Sequence, residues 1–195
     1  GPFAFANALV AAEIAVQLGL ETRDIISGLN SMKGIQGRFE SLSITSDISA
    51  IIDYAHTPTA LEELLKGCQK IVTGRIILVF GCGGDRDSEK RPLMGEVASV
   101  GADVNILTSD NPRGEDPSKI ISEIITGMSI KPHSVEVDRK QAIEEAVTAA
   151  KPGDLVVIAG RGHEEYQEIR GERIPFSDKE VLLDVIAKST SSDKR

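Results

Sequence analysis

The apolar and polar positions follow one rhythm up to about residue 36 and another beyond it. Residues 4–18 (AFANALVAAEIAVQL) are rich in Ala and Leu with no interior Gly or Pro, which predicts a well-buried helix ended by Gly19. Thr22 reads as the N-cap of a shorter helix carrying Ile25, Ile26 and Leu29, and Gly34 and Gly37 close that pattern. From residue 38 strands and helices alternate. Strands are expected in FESLSI (39–44), AIIDY (50–54), IILVFG (76–81), VNILTS (104–109), SVEVD (134–138) and LVVIAG (155–160). Between them, a helix opens with Thr57 as cap and Pro58 as first helical residue, and others are expected near 91–102, 117–128 and 139–150. Continuous apolar strands alternating with helices indicate an α/β layer fold whose mostly parallel sheet is covered on both faces. Residues 165–176 read as a hairpin around Gly171, Ser177 as the cap of a last helix over 177–188, and the tail STSSDKR as disordered.

At 195 residues, 41% apolar and 27% charged, the chain is long enough to bury a substantial core. Its formal charge of −8 supplies no broad basic field for nucleic acid or anionic lipid, so any anion site must be local. Cys68 and Cys82 stand at no metal-ligand spacing and follow no secretory pattern, which favours free thiols in a reducing, cytoplasmic setting. No apolar run approaches the roughly 20 residues of a spanning helix, so no membrane association is expected.

In an open parallel sheet, ligands gather beyond the carboxyl ends of the strands. Four such exits carry dense polar signatures: DYAHTP, GCGGDRD, DNPR and GRGHEEYQ. Together they suggest one site holding Asp53, His56, Arg86, Asn111, Arg113, His163 and Glu164. Each segment also has a plainer reading. GCGGDRD contains neither G-x-x-x-x-G-K-[ST] nor G-x-G-x-x-G and reads equally as a glycine turn, and Asp110-Asn111-Pro112 is a good turn former by itself. Arg86 and Arg113 are the surplus, because two guanidinium groups side by side would clamp a carboxylate. Glu164 could hold an ammonium, whereas His56 and His163, far apart in sequence, make no metal site and read as well as hydrogen-bonded structural imidazoles.

In order along the chain, F-x-x-N, GRFE, DYAHTP, FGCGGDRD-x-x-KRPLMG, DNPR and GRGHEEYQ resemble the successive signatures of the Mur ligases, in particular the MurE type. The resemblance implies an ATP-dependent, amide-forming ligase of peptidoglycan precursor synthesis. Its members join meso-diaminopimelate to UDP-MurNAc-L-Ala-D-Glu through an acyl phosphate, with ATP and Mg2+. It also implies three domains, of which residues 1–36 would be the helical end of the central ATPase domain, 37–190 the Rossmann-like C-terminal domain and 191–195 a disordered tail.

By the same resemblance, Arg86, Asn111 and Arg113 would bind the carboxylates of diaminopimelate, and the Gly160 carbonyl and Glu164 its distal ammonium. Asn7, Arg38, Asp53 and His56 would face the nucleotide. Arg113 favours diaminopimelate over lysine, which lacks the second carboxylate. The P-loop, the metal ligands and the lysine that the family carbamylates do not occur here, so the catalytic residues stay unassigned, no metal is expected on this chain, and it is expected to be inactive alone. Arg161 stands where the family usually has Lys; as both are cationic and neither is a proposed ligand, little consequence is expected. Two other readings stay open: a non-catalytic module binding a dicarboxylic amino acid or a partner protein, and part of a sibling ligase of the folylpolyglutamate or cyanophycin type.

Overall fold

A computed structural model describes residues 2–32 and 34–192. The chain divides into two compact units, Gly1–Ile35 and Gln36–Arg195. In the first, α1 (Pro2–Gln17) packs on α2 (Thr22–Ser31). The chain leaves α1 through Gly19, at φ 79, with Gly19 N–H donating to the Val16 carbonyl (2.9 Å) and Leu20 N–H to that of Ala15 (3.1 Å), the bond pair of a Schellman stop. Contrary to expectation, α1 is not well buried within its unit: Phe5, Leu9, Val10 and Ile14 are all more than half exposed. Its apolar side chains circle the helix, whereas α2 faces only the side carrying Ala11, Ala12 and Ala15. Nor is Thr22 a cap: the helix already includes it, and Glu21 takes the cap position without a side-chain bond.

The second unit contains β1 (Glu40–Ser43), β2 (Ser49–Asp53), α3 (Pro58–Gln69), β3 (Ile76–Phe80), α4 (Lys90–Gly101), β4 (Val104–Leu107), α5 (Pro117–Ile125), β5 (Ser134–Val135), α6 (Arg139–Ala149) and β6 (Leu155–Ala159). A hairpin, β7 (Tyr166–Ile169) and β8 (Glu172–Pro175), and then α7 (Asp178–Ser192) complete it. Helices α3, α5, α6 and α7 each start at a side-chain cap. Thr57 Oγ1 accepts from Ala60 N–H (3.3 Å), Asp116 Oδ1 from Ser118 N–H (2.9 Å), Asp138 Oδ1 from Lys140 N–H (2.8 Å), and Ser177 Oγ from Glu180 N–H (3.4 Å). Helix α5 stops at Ile125, before Gly127, and β5 shrinks to two residues because the chain already turns toward the α6 cap at Asp138. Helix α7 continues into the segment expected to be a disordered tail; residues 193–195 lie outside the described residues.

The six strands run in the order β1-β2-β6-β3-β4-β5, with β1 antiparallel to β2 and the others parallel. Every residue of β3 and β6 is buried. Ile76, Leu78 and Phe80 pack with α3, α4 and α5 on one face, and Ile77 and Val79 with α6 and α7 on the other. Full burial of each such side chain is worth about 1.5–3 kcal/mol, and a slip of one residue would exchange the faces, so the register of the central strands is tightly set. After β3 the chain crosses to one face through α4, and after β6 it reaches the other through α7. These strands are neighbours, so a crevice opens between their carboxyl ends.

Candidate functional site

Because β2, β6, β3 and β4 are adjacent, the four polar exits line one edge of the sheet. Backbone bonds stitch them together: Gly160 N–H donates to the Asp53 carbonyl (3.1 Å) and Gly84 N–H to the Asn111 carbonyl (2.9 Å). Gly160, at φ 115, sits so close to DNPR that a Cβ there would stand 2.6 Å from Asp110 Oδ2. That oxygen is buried without a hydrogen-bond partner among the described residues. A cavity of about 570 Å3, lined by Ser41, Asp47, Thr73 and Asp154, lies at the opposite edge of the sheet, away from these exits.

Arg86 and Arg113 border the same glycine, Gly83. A Cβ on Gly83 would lie 2.9 Å from Arg113 Nη1 and 4.0 Å from Arg86 Cγ, so the exposed Arg86 and the half-buried Arg113 flank the same glycine. Arg113 holds a left-handed backbone (φ 51) because the hairpin grips it from both sides. Its N–H donates to the Glu168 carbonyl (2.9 Å) and its carbonyl accepts from Arg170 N–H (2.6 Å). Its Nη1 donates to the Gly84 carbonyl (2.8 Å), and Nε lies 3.3 Å from Glu168 Oε2.

Beside this cationic end lies an acidic one. Asn111, buried, donates through Nδ2 to Glu164 Oε2 (2.8 Å), and its Oδ1 accepts from Glu168 N–H (2.8 Å) and from Arg161 Nη1 (2.8 Å). Beneath them Arg139 donates to both oxygens of Asp178 (2.7 and 2.9 Å) and to the carbonyls of Ser109 (3.3 Å) and Ala159 (3.0 Å), the last residues before two of the exits. Burial, and then the charge of Arg139, lower the proton affinity of Arg161. The glycine loop is braced separately: Arg91 donates to Glu115 (2.8 and 3.0 Å), Glu123 (2.6 Å) and the Gly83 carbonyl (3.3 Å). Hydrogen bonds from Arg91 and from Asp85 N–H hold the Glu115 carboxyl down at about 2.

Two of the residues expected to face a nucleotide, Arg38 and His56, meet at Tyr54. The Arg38 guanidinium stacks over the Tyr54 ring at 4.6 Å, with His56 edge-on to that ring at 4.7 Å and His163 at 5.6 Å. His56 Nδ1 lies 2.8 Å from the Tyr54 carbonyl, which can only accept, so Nδ1 carries the proton. Asp53 differs from the rest, because its carboxylate is engaged by backbone: Oδ2 accepts from Phe39 N–H (2.7 Å) and Oδ1 from Ala55 N–H (2.8 Å), tying GRFE to DYAHTP. Asn7 is exposed on α1, in the other unit. Among the described residues no three His, Cys, Asp or Glu side chains cluster in a way that could hold a metal ion.

Sequence reasoning missed the buried charges. Arg91, Arg139 and Arg161 are each at most 1% exposed, and the acidic partners of Arg91 and Arg139 are 24 to 39 residues distant, a separation that no local pattern reveals, while Arg161 has Glu164 three residues on. The available hint for Arg161 was its place between two glycines at a strand exit.

The sequence matches the family described as Mur ligase, glutamate ligase domain, over residues 37–162. It is 46% identical over 189 residues to a UDP-N-acetylmuramoyl-L-alanyl-D-glutamate–2,6-diaminopimelate ligase of Syntrophomonas wolfei, covering 95% of this chain and 39% of that protein. A ligase of the same name from Synechocystis is 47% identical over 190 residues, with 95% and 37% covered. A solved structure of a ligase of that name superposes with a TM-score of 0.76 at 40% identity, covering 93% of this chain and 38% of that one. The chain thus spans about two fifths of the length of these relatives. With residues 37–162 matched and the fold shared, the chain belongs to the Mur ligase family.

Proposed function

We propose that this chain is the amino-acid-binding part of an ATP-dependent ligase that adds meso-diaminopimelate to UDP-MurNAc-L-Ala-D-Glu during peptidoglycan precursor synthesis. The observation that carries the reading is the convergence of Arg86 and Arg113 on Gly83, at the edge that also holds Asn111 and Glu164. A diamino dicarboxylic acid has charges of both signs at both ends, and this crevice offers guanidinium groups beside a carboxylate. Arg86 and Arg113 would take a carboxylate, while Glu164 and the Gly160 carbonyl would take the distal ammonium, presenting the other amine for attack. The names of the relatives support the choice of amino acid.

The Arg38, Tyr54, His56 and His163 cluster has the flat cationic and aromatic character to cover one face of a nucleotide. The chain supplies no P-loop sequence, and its described residues supply no carboxylate cluster for Mg2+. Activation of the acceptor carboxylate by ATP and Mg2+ is therefore assigned to the domains that the relatives carry beyond this span. The two helices of the first unit, with their exposed apolar side chains, suit the end of such a central domain.

The test uses the ligase joined to its upstream coding sequence. Arg113→Ala should raise the KM for diaminopimelate about 30-fold to a few thousand-fold, the equivalent of roughly 2–5 kcal/mol for a lost charged partner, with the KM for ATP unchanged. Equal losses for both ligands would remove Arg113 from the amino-acid site. By calorimetry, the isolated chain should bind diaminopimelate weakly, because domain closure completes the pocket.

A further inference from the structure

The turn after β6 places a guanidinium where a neutral side chain would be cheaper. Arg161 is fully buried, next to the equally buried Arg139, and its Nε has no hydrogen-bond partner among the described residues. A side chain needed for packing alone would not carry a second desolvated charge of the same sign. What the charge does is visible in its bonds. Nη1 donates to Asn111 Oδ1 (2.8 Å), while Nη2 donates to the carbonyls of Tyr166 and Phe176 at the two ends of the hairpin.

Asn111 Oδ1 thus accepts from two buried donors, Arg161 Nη1 and Glu168 N–H. If the amide rotated by half a turn, its NH2 group would face both donors and leave them unpaired, so the oxygen is fixed on that side. The Nδ2 group is then directed onto Glu164 Oε2 (2.8 Å), which also lies 3.5 Å from Arg161 Nη1, and Glu164 Oε1 makes no hydrogen bond among the described residues.

We infer that Arg161 is a positioning residue: it sets the orientation of the Asn111 amide and, through it and its own approach to Oε2, the rotamer of Glu164, so that Glu164 Oε1 stays available to accept from an ammonium ligand. The ligand part of this inference rests on the proposed amino-acid site; the positioning part does not. It also replaces the expectation that the cation at this position has little consequence, because the side chain acts without touching a ligand.

The experiment is solution NMR on the 15N,13C-labelled 195-residue chain. The Asn111 side-chain NH2 pair is identified by its disappearance in Asn111→Asp. In the parent chain this pair should exchange slowly with solvent. In Arg161→Met its exchange should quicken by about tenfold or more and its shifts should move toward those of exposed Asn, while the β3 and β6 backbone signals stay in place. Arg161→Lys should retain the slow Asn111 pair, because one ammonium donor suffices for Oδ1. It should release the Tyr166 and Phe176 carbonyls, read as a change in their 13C shifts.

An unchanged Asn111 pair in a folded Arg161→Met chain overturns the inference, since Glu168 N–H alone would then fix the amide. If the Met variant does not fold, loss of the slow pair in Arg161→Lys overturns it equally. Millimolar meso-diaminopimelate added to the parent chain tests the ligand separately. Shifts confined to Asn111, Arg113 and Glu164 support the site, and their absence counts against the proposed ligand while the positioning result stands.

Discussion

Replacing Asp178 by Asn should cost the second unit about 3–5 kcal/mol, the range for removing one partner of a buried ion pair. Asp178 and Arg139 are at most 1% exposed, and the carboxylate receives two charge-assisted bonds, from Nε at 2.7 Å and Nη2 at 2.9 Å. An amide keeps the shape, but one of its ends presents hydrogens to an N–H donor. At least one bond worth about 1.5–3 kcal/mol is therefore lost, and the Arg139 charge is left uncompensated beside Arg161. The assay is urea unfolding followed by tyrosine emission. The chain has no Trp and only two Tyr, Tyr54 and Tyr166, both in the second unit, so the signal reports that unit alone. With a slope of about 2 kcal/mol per molar urea, the midpoint should fall by roughly 1.5–2.5 M. The double variant Arg139→Met, Asp178→Leu removes both charges and should recover much of the loss. A cost for Asp178→Asn below about 1 kcal/mol, the scale of a solvated surface pair, would refute this account of the floor of the site.

Gly160→Ala should destabilise the second unit by about 2–4 kcal/mol in the same assay, through a left-handed φ of 115 and a Cβ placed 2.6 Å from Asp110 Oδ2; a cost near zero would show that the turn relaxes freely. Burial pushes the thiols of Cys68 and Cys82 up to about 12, so neither should react with a disulfide reagent at pH 8 until urea unfolds the chain, and rapid release of one equivalent from the native protein would contradict this. Glu115 is held at about 2 against an ordinary 4.5, so its stabilising contribution is complete above the ordinary value and is lost as pH falls toward 2. The urea midpoint of the parent chain should therefore drop more steeply between pH 5 and 2 than that of Glu115→Gln, and parallel curves would place the acid sensitivity elsewhere.

Much of the architecture was written in local pattern. The strands β3 and β6 appear as unbroken apolar runs because both faces of each are covered, and Thr57-Pro58 marks a helix start to the residue. The four polar exits share an edge because parallel strands must emit their loops on the same side, which is a rule of topology and not of any residue. Burial of α1 was misjudged because composition cannot say what lies against a helix. The pairing of Arg139 with Asp178 or of Arg161 with Asn111 depends on a strand order that only the assembled sheet reveals. Asp53 adds a structural task that its motif did not announce, since each of its two oxygens holds a backbone N–H.

The late position of β6 in the chain has a consequence for biogenesis. It is the last strand of the six to be synthesised, yet it lies between β2 and β3. Until residues 155–159 leave the ribosome, β2 and β3 share no ladder, and each presents a raw parallel edge able to recruit another chain. A premature stop before Leu155 would thus leave β1-β2 and β3-β4-β5 joined by helix packing alone, with no backbone ladder between them.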